Sequence, residues 1–299
     1  MRGAAIIGAL AGCATSPDAR MAAMPATVVP GGVQLERDPC NHLELLVPVT
    51  IDGTLGWFVL DTGAYTHVVY ARFARRARLA TENTGERIGG GYGVPVLRIV
   101  PRSFVIPGLA DVAMPELLML DETASPLARE TCGVDGVIAP ALLSTPTEAV
   151  IVDFQARRMA RVPVAEVELR LAAAGGWRFG ARREPNEYTP GIDVDFGEHR
   201  LRMMIDTGAC CTWVTLGSAI GRAKLPHSIA SGKVDRLLGT TESRRVRATL
   251  QFGQVARTTD IRLLAPDEND ARETGALGAD VLGGCVLAIL PDQLRGACR

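Results

Sequence analysis

Two aspartates occur in the same local sequence, and the residues around them suit a shared catalytic role. Asp61 and Asp206 each begin an Asp-Thr-Gly-Ala tetrapeptide, and the two copies lie 145 residues apart in a chain of 299. Each copy follows three apolar residues, at 58–60 and 203–205. Two carboxylates held within hydrogen-bonding distance cannot both ionise, so such a pair shares one proton. One member can then activate a water molecule while the protonated member polarises a carbonyl oxygen, which is acid–base hydrolysis without a covalent intermediate.

The residues that follow each aspartate are suited to a rigid loop. Thr62 and Thr207 can hydrogen-bond within their own loop or across to the other one. Gly63 and Gly208 allow a tight turn and a close approach of the opposing backbone. We therefore predict that these residues support the two loops that carry the aspartates.

The same order of elements surrounds each tetrapeptide, which indicates an internal repeat. In each half an alternating strand pattern precedes the aspartate, and a short helical pattern, glycine-punctuated β segments and a last strand follow it. These segments are 43–51, 70–79, 86–100 and 149–154 in the first half, and 191–196, 216–224, 234–252 and 286–290 in the second. Many short strands with few long helices predict an all-β fold of two similar β-barrel lobes. A pseudo-twofold axis between the lobes would bring the two loops face to face, with the active site between them.

These patterns divide the chain into consecutive parts. The predicted parts are a signal segment at 1–13, a flexible tether at 14–38, a first lobe at 39–165, an inter-lobe connection at 166–188 and a second lobe at 189–299. The tether is rich in proline, glycine and alanine, and the connection is polar and contains glycines.

Composition and the remaining motifs exclude several classes of protein. The formal net charge is −1, with 22% charged and 47% hydrophobic residues, which argues against a basic nucleic-acid binder, a disordered chain and a multi-span membrane protein. The sequence has no cysteine or histidine cluster with zinc spacing, no phosphate-binding glycine loop and no serine nucleophile elbow. We therefore predict no metal and no cofactor. For the scattered histidines we expect surface or capping roles: His42, His67, His199 and His227.

The paired tetrapeptides resemble those of the retropepsin-like aspartic proteases, in the bacterial group that carries two Asp-Thr-Gly-Ala repeats in one chain. The resemblance covers roughly residues 40 to 299. It implies an aspartic endopeptidase that needs no cofactor, with Asp61 and Asp206 as the catalytic dyad and acid-protease-like β-barrel lobes. The implied substrate is an extended segment of an envelope or periplasmic protein, lying as an added strand across the cleft.

The resemblance also implies a flap that closes over the bound peptide. Glycines at 89–93 stand where the family has this hairpin, so Gly90, Gly91 and Tyr92 become candidate substrate-binding residues. The counterpart in the second lobe lies near Gly239 and is poorer in glycine, which indicates a stiffer flap.

Some positions depart from the family pattern. Tyr65 and Cys210 occupy places where the family usually has a small residue. The apolar-apolar-glycine motif is intact at 276–278, whereas the first lobe has Ala139 in place of the glycine. These departures motivate an alternative function, a non-catalytic peptide-binding lipoprotein with a degenerate protease cleft. A further alternative pairs lobes between two chains, although we expect a monomer with the dyad inside one chain.

The N-terminus predicts a lipid anchor. Arg2 precedes an apolar stretch at 3–10, and Leu10-Ala11-Gly12-Cys13 resembles a bacterial lipobox, in which the cysteine is lipidated. The stretch is shorter than the roughly 20 residues of a membrane span, so we expect membrane contact through the lipid alone. The predicted location is the periplasm or cell envelope. The alternative is an ordinary secretory signal with a chance cysteine.

The cysteine count fits an oxidising compartment. Apart from Cys13, the chain has an even number of cysteines in each half: Cys40 and Cys132 in the first, and Cys210, Cys211, Cys285 and Cys298 in the second. We expect bridges within halves, with the adjacent pair Cys210 and Cys211 reaching Cys285 and Cys298 rather than each other. The sequence leaves the exact pairing open, and free buried thiols are the alternative.

Overall fold

A computed structural model describes most of the chain. The described residues are 26–29, 32–39, 42–88, 93–110, 112–121, 123–126, 133–185, 187–236, 239–265 and 275–299. The sequence-based predictions for the following residues lie outside these ranges: Cys13, Cys40, Gly90, Gly91, Tyr92 and Cys132. Within the described ranges, no helix has the length and apolar character needed to cross a membrane.

Short strands make up most of the regular structure. In the first half they are β1 (Val28–Val29), β2 (Gly32–Gln34), β3 (Glu36–Arg37), β4 (Leu45–Ile51), β5 (Thr54–Leu60), β6 (His67–Tyr70), β7 (Thr81–Glu82), β8 (Arg87–Ile88), β9 (Val94–Pro95), β10 (Leu97–Ile99), β11 (Phe104–Val105), β12 (Leu117–Leu120), β13 (Gly136–Ile138), β14 (Glu148–Asp153) and β15 (Arg158–Pro163). In the second half they are β16 (Trp177–Arg182), β17 (Gly191–Asp195), β18 (Arg200–Ile205), β19 (Trp213–Thr215), β20 (Ile229–Arg236), β21 (Gly239–Phe252), β22 (Val255–Leu264), β23 (Gly275–Leu277), β24 (Cys285–Ile289) and β25 (Gln293–Cys298). The α-helices are α1 (Ala71–Arg76), α2 (Val167–Ala174), α3 (Ala219–Lys224) and α4 (Ala279–Leu282), with 3-10 turns at Pro140–Leu143, Val164–Glu166 and Leu225–His227.

The hairpin of β4 and β5 carries the first aspartate, and its turn follows from two residues. Ile51 pairs with Thr54, so only Asp52 and Gly53 form the loop, and both have positive φ angles, of 47° and 79°. Asp-Gly is a favoured pair for such two-residue loops, because both positions need positive φ. The turn fixes the register in which β5 runs towards Asp61.

The two lobes repeat one arrangement of strands around each aspartate. The strand that leads to the aspartate, β5 or β18, pairs in parallel with a short later strand, β13 or β23. That later strand also pairs antiparallel with the strand after the aspartate loop, β6 or β19. In turn, β6 pairs in parallel with β12, and β19 with β22. The predicted all-β fold with two similar lobes is confirmed.

A sheet shared by both halves joins the lobes. Its strands follow the order β2-β15-β14-β24-β25-β16, and the seam between the halves is the antiparallel pair β14 and β24, with Val150 opposite Ile289. Apolar side chains from both halves form one buried cluster with this sheet. The lobes are therefore held together by backbone hydrogen bonds as well as by packing.

Two predicted linkers prove to be partly structural. The predicted tether 14–38 includes β1 to β3, and Val33 and Leu35 are fully buried. The predicted connection 166–188 includes α2 and β16, which pairs with β25 along its whole length. The prediction of a flexible tether is wrong at these strands, and the predicted connection contains regular structure. Glycine and proline in the first segment concealed β1 and β2, which pair in the shared sheet, and β3, which pairs with β4; charged residues in the second concealed β16, which pairs with β25 and β17.

The expected partners of Cys285 and Cys298 are wrong, although their bridge lies within one half of the chain, as expected. Cys285 and Cys298 bridge each other, because β24 and β25 form a hairpin that sets them directly opposite one another. Cys210 and Cys211 are free thiols.

Candidate active site

Each aspartate follows directly on a buried strand and is anchored to the later strand beside it. The Asp61 N–H donates to the carbonyl of Ile138 at 2.9 Å, and the Asp206 N–H donates to the carbonyl of Leu277 at 3.0 Å. Apart from Met204, which is partly exposed, the three apolar residues before each aspartate are buried, which fixes the end of each strand between the lobes.

Reciprocal threonine hydrogen bonds tie the two loops together. The Thr62 N–H donates to Thr207 Oγ1 and the Thr207 N–H donates to Thr62 Oγ1, both at 3.1 Å. Each hydroxyl then donates across the lobe boundary, Thr62 to the carbonyl of Ile205 at 2.7 Å and Thr207 to the carbonyl of Leu60 at 2.6 Å. Both threonines are buried, so these four bonds form away from water, where an unmade bond is costly.

The glycines make room for the opposing carboxyl groups. A Cβ atom on Gly63 would lie 2.7 Å from Asp206 Cγ, and one on Gly208 would lie 2.4 Å from Asp61 Cγ. The two loops therefore meet face to face across the predicted pseudo-twofold, and a side chain at either glycine would collide with the opposing carboxyl.

The two carboxyl groups hydrogen-bond to each other and to nearby backbone N–H groups. Gly63 donates to Asp61 Oδ1 at 2.6 Å. On the other side, Gly208 and Ala209 donate to Asp206 Oδ1 at 3.1 Å and 3.0 Å. Both aspartates keep part of their residue surface accessible.

The environment makes the pair share a proton. Burial raises the pKa of both carboxyls, and the pKa of Asp206 rises further because of the negative charge of Asp61 and the hydrogen bond between them. Hydrogen bonds from Asp206 and from the N–H groups of Gly63, Ala64 and Gly208 oppose the rise at Asp61. The two carboxyls therefore hold one proton between them and titrate as a unit.

Sequence reasoning missed His67. We expected a surface or capping role, but the side chain is 1% exposed, and its Nδ1 accepts from the Ala139 N–H at 3.1 Å. In the second lobe Thr212 Oγ1 accepts from the Gly278 N–H at 3.0 Å in the same way. Superposing the two repeats pairs His67 with Thr212 and Ala139 with Gly278, and this alignment is the signal that could have found it. Burial lowers the pKa of His67 to about 4, so the ring is neutral.

Tyr65 follows the first aspartate loop and is 40% exposed. Its ring stacks on that of Tyr188, with centroids 4.8 Å apart, and both rings are partly exposed. Beside it lies a cavity of about 530 Å³. The cavity is lined by Tyr65, Thr66, Glu86, Arg87, Ile88, Ala113, Met114, Pro115, Glu116, Leu118 and Leu142.

Of the predicted site residues within the described ranges, the dyad, the two threonines and the two loop glycines come together. Gly239 does not belong to this group: it begins β21 and pairs with Arg236 of β20, in a separate hairpin. No cluster of three or more His, Cys, Asp or Glu side chains that could hold a metal ion occurs among the described residues.

Comparison with known proteins gives a likeness in fold. No family model matches the sequence, and no curated protein matches it. Among solved structures, the aspartic proteinase from Irpex lacteus superposes with a TM-score of 0.50 at 9% identity, over 86% of this chain and 94% of that one. This chain is therefore similar in fold to a two-lobed aspartic proteinase.

Proposed function

We propose that this protein is an aspartic endopeptidase. One observation carries the proposal. Asp61 and Asp206 hydrogen-bond to each other between the two loops, burial raises the pKa of both carboxyls, and the charge of Asp61 raises the pKa of Asp206 further. A binding cleft gains nothing from two repelling carboxyl groups, whereas water activation requires them.

In the proposed mechanism a water molecule lies between the two carboxyl groups. Asp61 removes a proton from the water, whose oxygen attacks the peptide carbonyl, while Asp206 donates its proton to the carbonyl oxygen. The C–N bond of the tetrahedral intermediate then breaks: Asp61 gives its proton to the leaving nitrogen, while Asp206 takes a proton from one hydroxyl of the intermediate, which restores the starting pair. The threonine bonds hold the carboxyls in place during both steps, so little reorganisation is needed.

The substrate class and setting extend this proposal. The substrate is an extended segment of an envelope or periplasmic protein, and its side chains occupy cavities such as the one beside Tyr65. The chain acts as a retropepsin-like enzyme in the periplasm or cell envelope, held to the membrane by a lipid on Cys13.

The test is cleavage of a random peptide library by the full chain, from about pH 4 to 8, beside Asp61→Asn and Asp206→Asn. We expect cleavage by the parent alone, with a bell-shaped pH profile, because the rate needs one ionised and one protonated carboxyl. Since both pKa values are raised, both limbs of the profile lie above the ordinary aspartate value of 3.8.

Asp193→Asn is the matched control, because Asp193 is exposed on β17 and should not affect turnover. Retained cleavage in either dyad variant would contradict the proposal. Peptide binding without cleavage by the folded parent would favour the non-catalytic peptide-binding lipoprotein instead.

A further inference from the structure

Two adjacent free thiols lie immediately beyond the second aspartate loop. Cys210 and Cys211 are both half-buried, and the Cys210 thiol donates a hydrogen bond to the Cys211 sulfur. The Arg262 side chain donates a second hydrogen bond to the same sulfur. The disulfide of the second half joins other cysteines and leaves this pair available for chemistry.

The thiol pair is built into the support of the dyad. Cys210 follows Ala209, whose N–H donates to Asp206 Oδ1, and the Cys210 carbonyl accepts from the Asp280 N–H at 3.2 Å. Asp280 in turn accepts from the Thr212 N–H and hydroxyl, both at 2.8 Å. The backbone of the pair is thus fixed between the aspartate loop and α4, while both residues keep some accessible surface.

The internal repeat indicates where the thiol pair lies relative to the cleft. Cys210 and Cys211 occupy the same positions in the second lobe as Tyr65 and Thr66 in the first. Tyr65 and Thr66 line the cavity beside the first aspartate loop. The pseudo-twofold therefore sets the thiols beside the second aspartate loop, on the opposite side of the cleft.

The surroundings give the two thiols different pKa values and hence different reactivity. The hydrogen bond from Cys210 and the charge and hydrogen bond of Arg262 lower the pKa of Cys211 to about 7, against the opposing effects of burial and of Asp280. The hydrogen bond to Cys211, burial and the charges of Cys211 and Glu44 raise the pKa of Cys210, against the opposing charge of Arg262. The thiolate is the reactive form, so the lowered pKa favours Cys211 as the nucleophile, with Cys210 holding its proton.

We propose that Cys211 is a thiol-modification site, and that a mixed disulfide formed there with a small-molecule disulfide closes the cleft to peptides. The regulatory part rests on the proposed function, whereas the modification itself does not.

The reaction balances without a further reagent. The Cys211 thiolate attacks one sulfur of the small disulfide, a bond forms between these two sulfurs, and the disulfide bond of the reagent breaks. The second half of the reagent leaves as a thiolate, which takes a proton from solvent. Cys210 is poorly suited to displace the adduct, because consecutive Cα atoms lie about 3.8 Å apart, below the usual span of roughly 4.4–6.8 Å for a disulfide. The mixed disulfide therefore persists until a thiol removes it.

The experiment uses the full chain and oxidised glutathione. Intact mass and peptide mapping identify the adduct, and calorimetry measures binding of a peptide in which a hydroxyethylene isostere replaces the scissile amide. We expect one glutathione on Cys211, loss of measurable isostere binding and loss of cleavage, all reversed by reduced glutathione.

Two serine variants separate the thiols. Cys211→Ser should take no adduct at this pair, and its own isostere binding, whatever its level, should not respond to oxidised glutathione. Cys210→Ser keeps a hydroxyl donor beside Cys211 and should still form the adduct.

The proposal is overturned if the adduct forms on Cys210, if neither thiol reacts, or if isostere binding survives complete modification. If the untreated chain neither cuts peptides nor binds the isostere, the proposed function fails and the regulatory part fails with it. The mass spectrum still decides the modification site in that case.

Discussion

Gly208 illustrates how tightly a single residue can be specified by a neighbour distant in the sequence. Its Cα lies so close to Asp61 that the carboxyl of Asp61 fills the space a side chain would need. Propensity accounts for a glycine in a turn, but here the requirement comes from the other lobe.

We predict that Gly208→Ala lowers kcat/KM by about a hundredfold or more, because it pushes the carboxyls out of their shared hydrogen bond. Gly217→Ala is the control, since nothing lies within 4 Å of a Cβ atom at Gly217. Steady-state kinetics on peptide substrates decides the matter, and equal rates for both variants would contradict the prediction.

His67 predicts a pH dependence of folding. The folded pKa of about 4 lies below the ordinary value of 6.5, so between these values the unfolded state binds the proton more readily. Stability is therefore full above pH 6.5 and falls as the pH drops towards 4, by an amount on the order of 3 kcal/mol.

His67→Asn removes this titration while keeping an acceptor for the Ala139 N–H, so its loss of stability over that range should be smaller. Urea unfolding between pH 4 and 7 measures the difference in unfolding free energy between the parent and His67→Asn. The contribution of the dyad cancels, because both proteins retain it. The exposed His227→Asn serves as the control and should follow the parent. Parallel curves for parent and His67→Asn would refute the prediction.

At the scale of elements, the loops depend on one another through the threonines. The hydroxyl of each threonine accepts a hydrogen bond from the N–H of the threonine in the opposite loop. It donates one to the strand that precedes the aspartate of that opposite loop. Neither loop can therefore reach its observed position without the other.

We predict that Thr207→Val destabilises the fold by about 1–3 kcal/mol, because it removes both bonds of the hydroxyl and leaves a buried N–H and a buried carbonyl unpaired. Thr207→Ser should retain most of the stability. Thr249→Val, which removes an exposed hydroxyl pair on β21, should change it by less than about 0.5 kcal/mol. The measurement is the free energy of unfolding in urea. Equal values for Thr207→Val and Thr249→Val would contradict the predicted stabilisation by the threonine hydrogen bonds.

The elements that could be predicted from sequence are those with local signals. The strand patterns before the aspartates, the Asp52-Gly53 turn and the short helices all follow from periodicity and turn chemistry. By contrast, β1 to β3 and β16 are strands only because a neighbouring strand offers an edge, and no local pattern indicates this. The bridge between Cys285 and Cys298 depends on the register of one hairpin, which the spacing of cysteines does not reveal.

At the scale of the whole molecule, the repeat was the most informative signal, because it required two equivalent loops and hence a site between them. It indicated the dyad and its supports correctly as neighbours in space. Its alignment also shows where the halves differ, with Tyr65 opposite Cys210 and His67 opposite Thr212, but it does not show what these side chains contact.

The lobes of one chain supply both aspartates, which predicts activity independent of dilution. Turnover per molecule should stay constant as the protein is diluted from micromolar to nanomolar concentration, since no second chain completes the site. A specific activity that falls on dilution would instead support pairing of lobes between chains. Progress curves at a fixed ratio of substrate to KM provide the measurement.

The seam between β14 and β24 also sets an order of events during biosynthesis. The edge of β14 that faces β24 lacks its partner until residues 285–289 have been made, near the end of synthesis. An unpaired strand edge invites association with other chains, so the first half of the nascent chain needs protection while the second is made. The shared sheet thus delays completion of the fold until the chain is nearly complete.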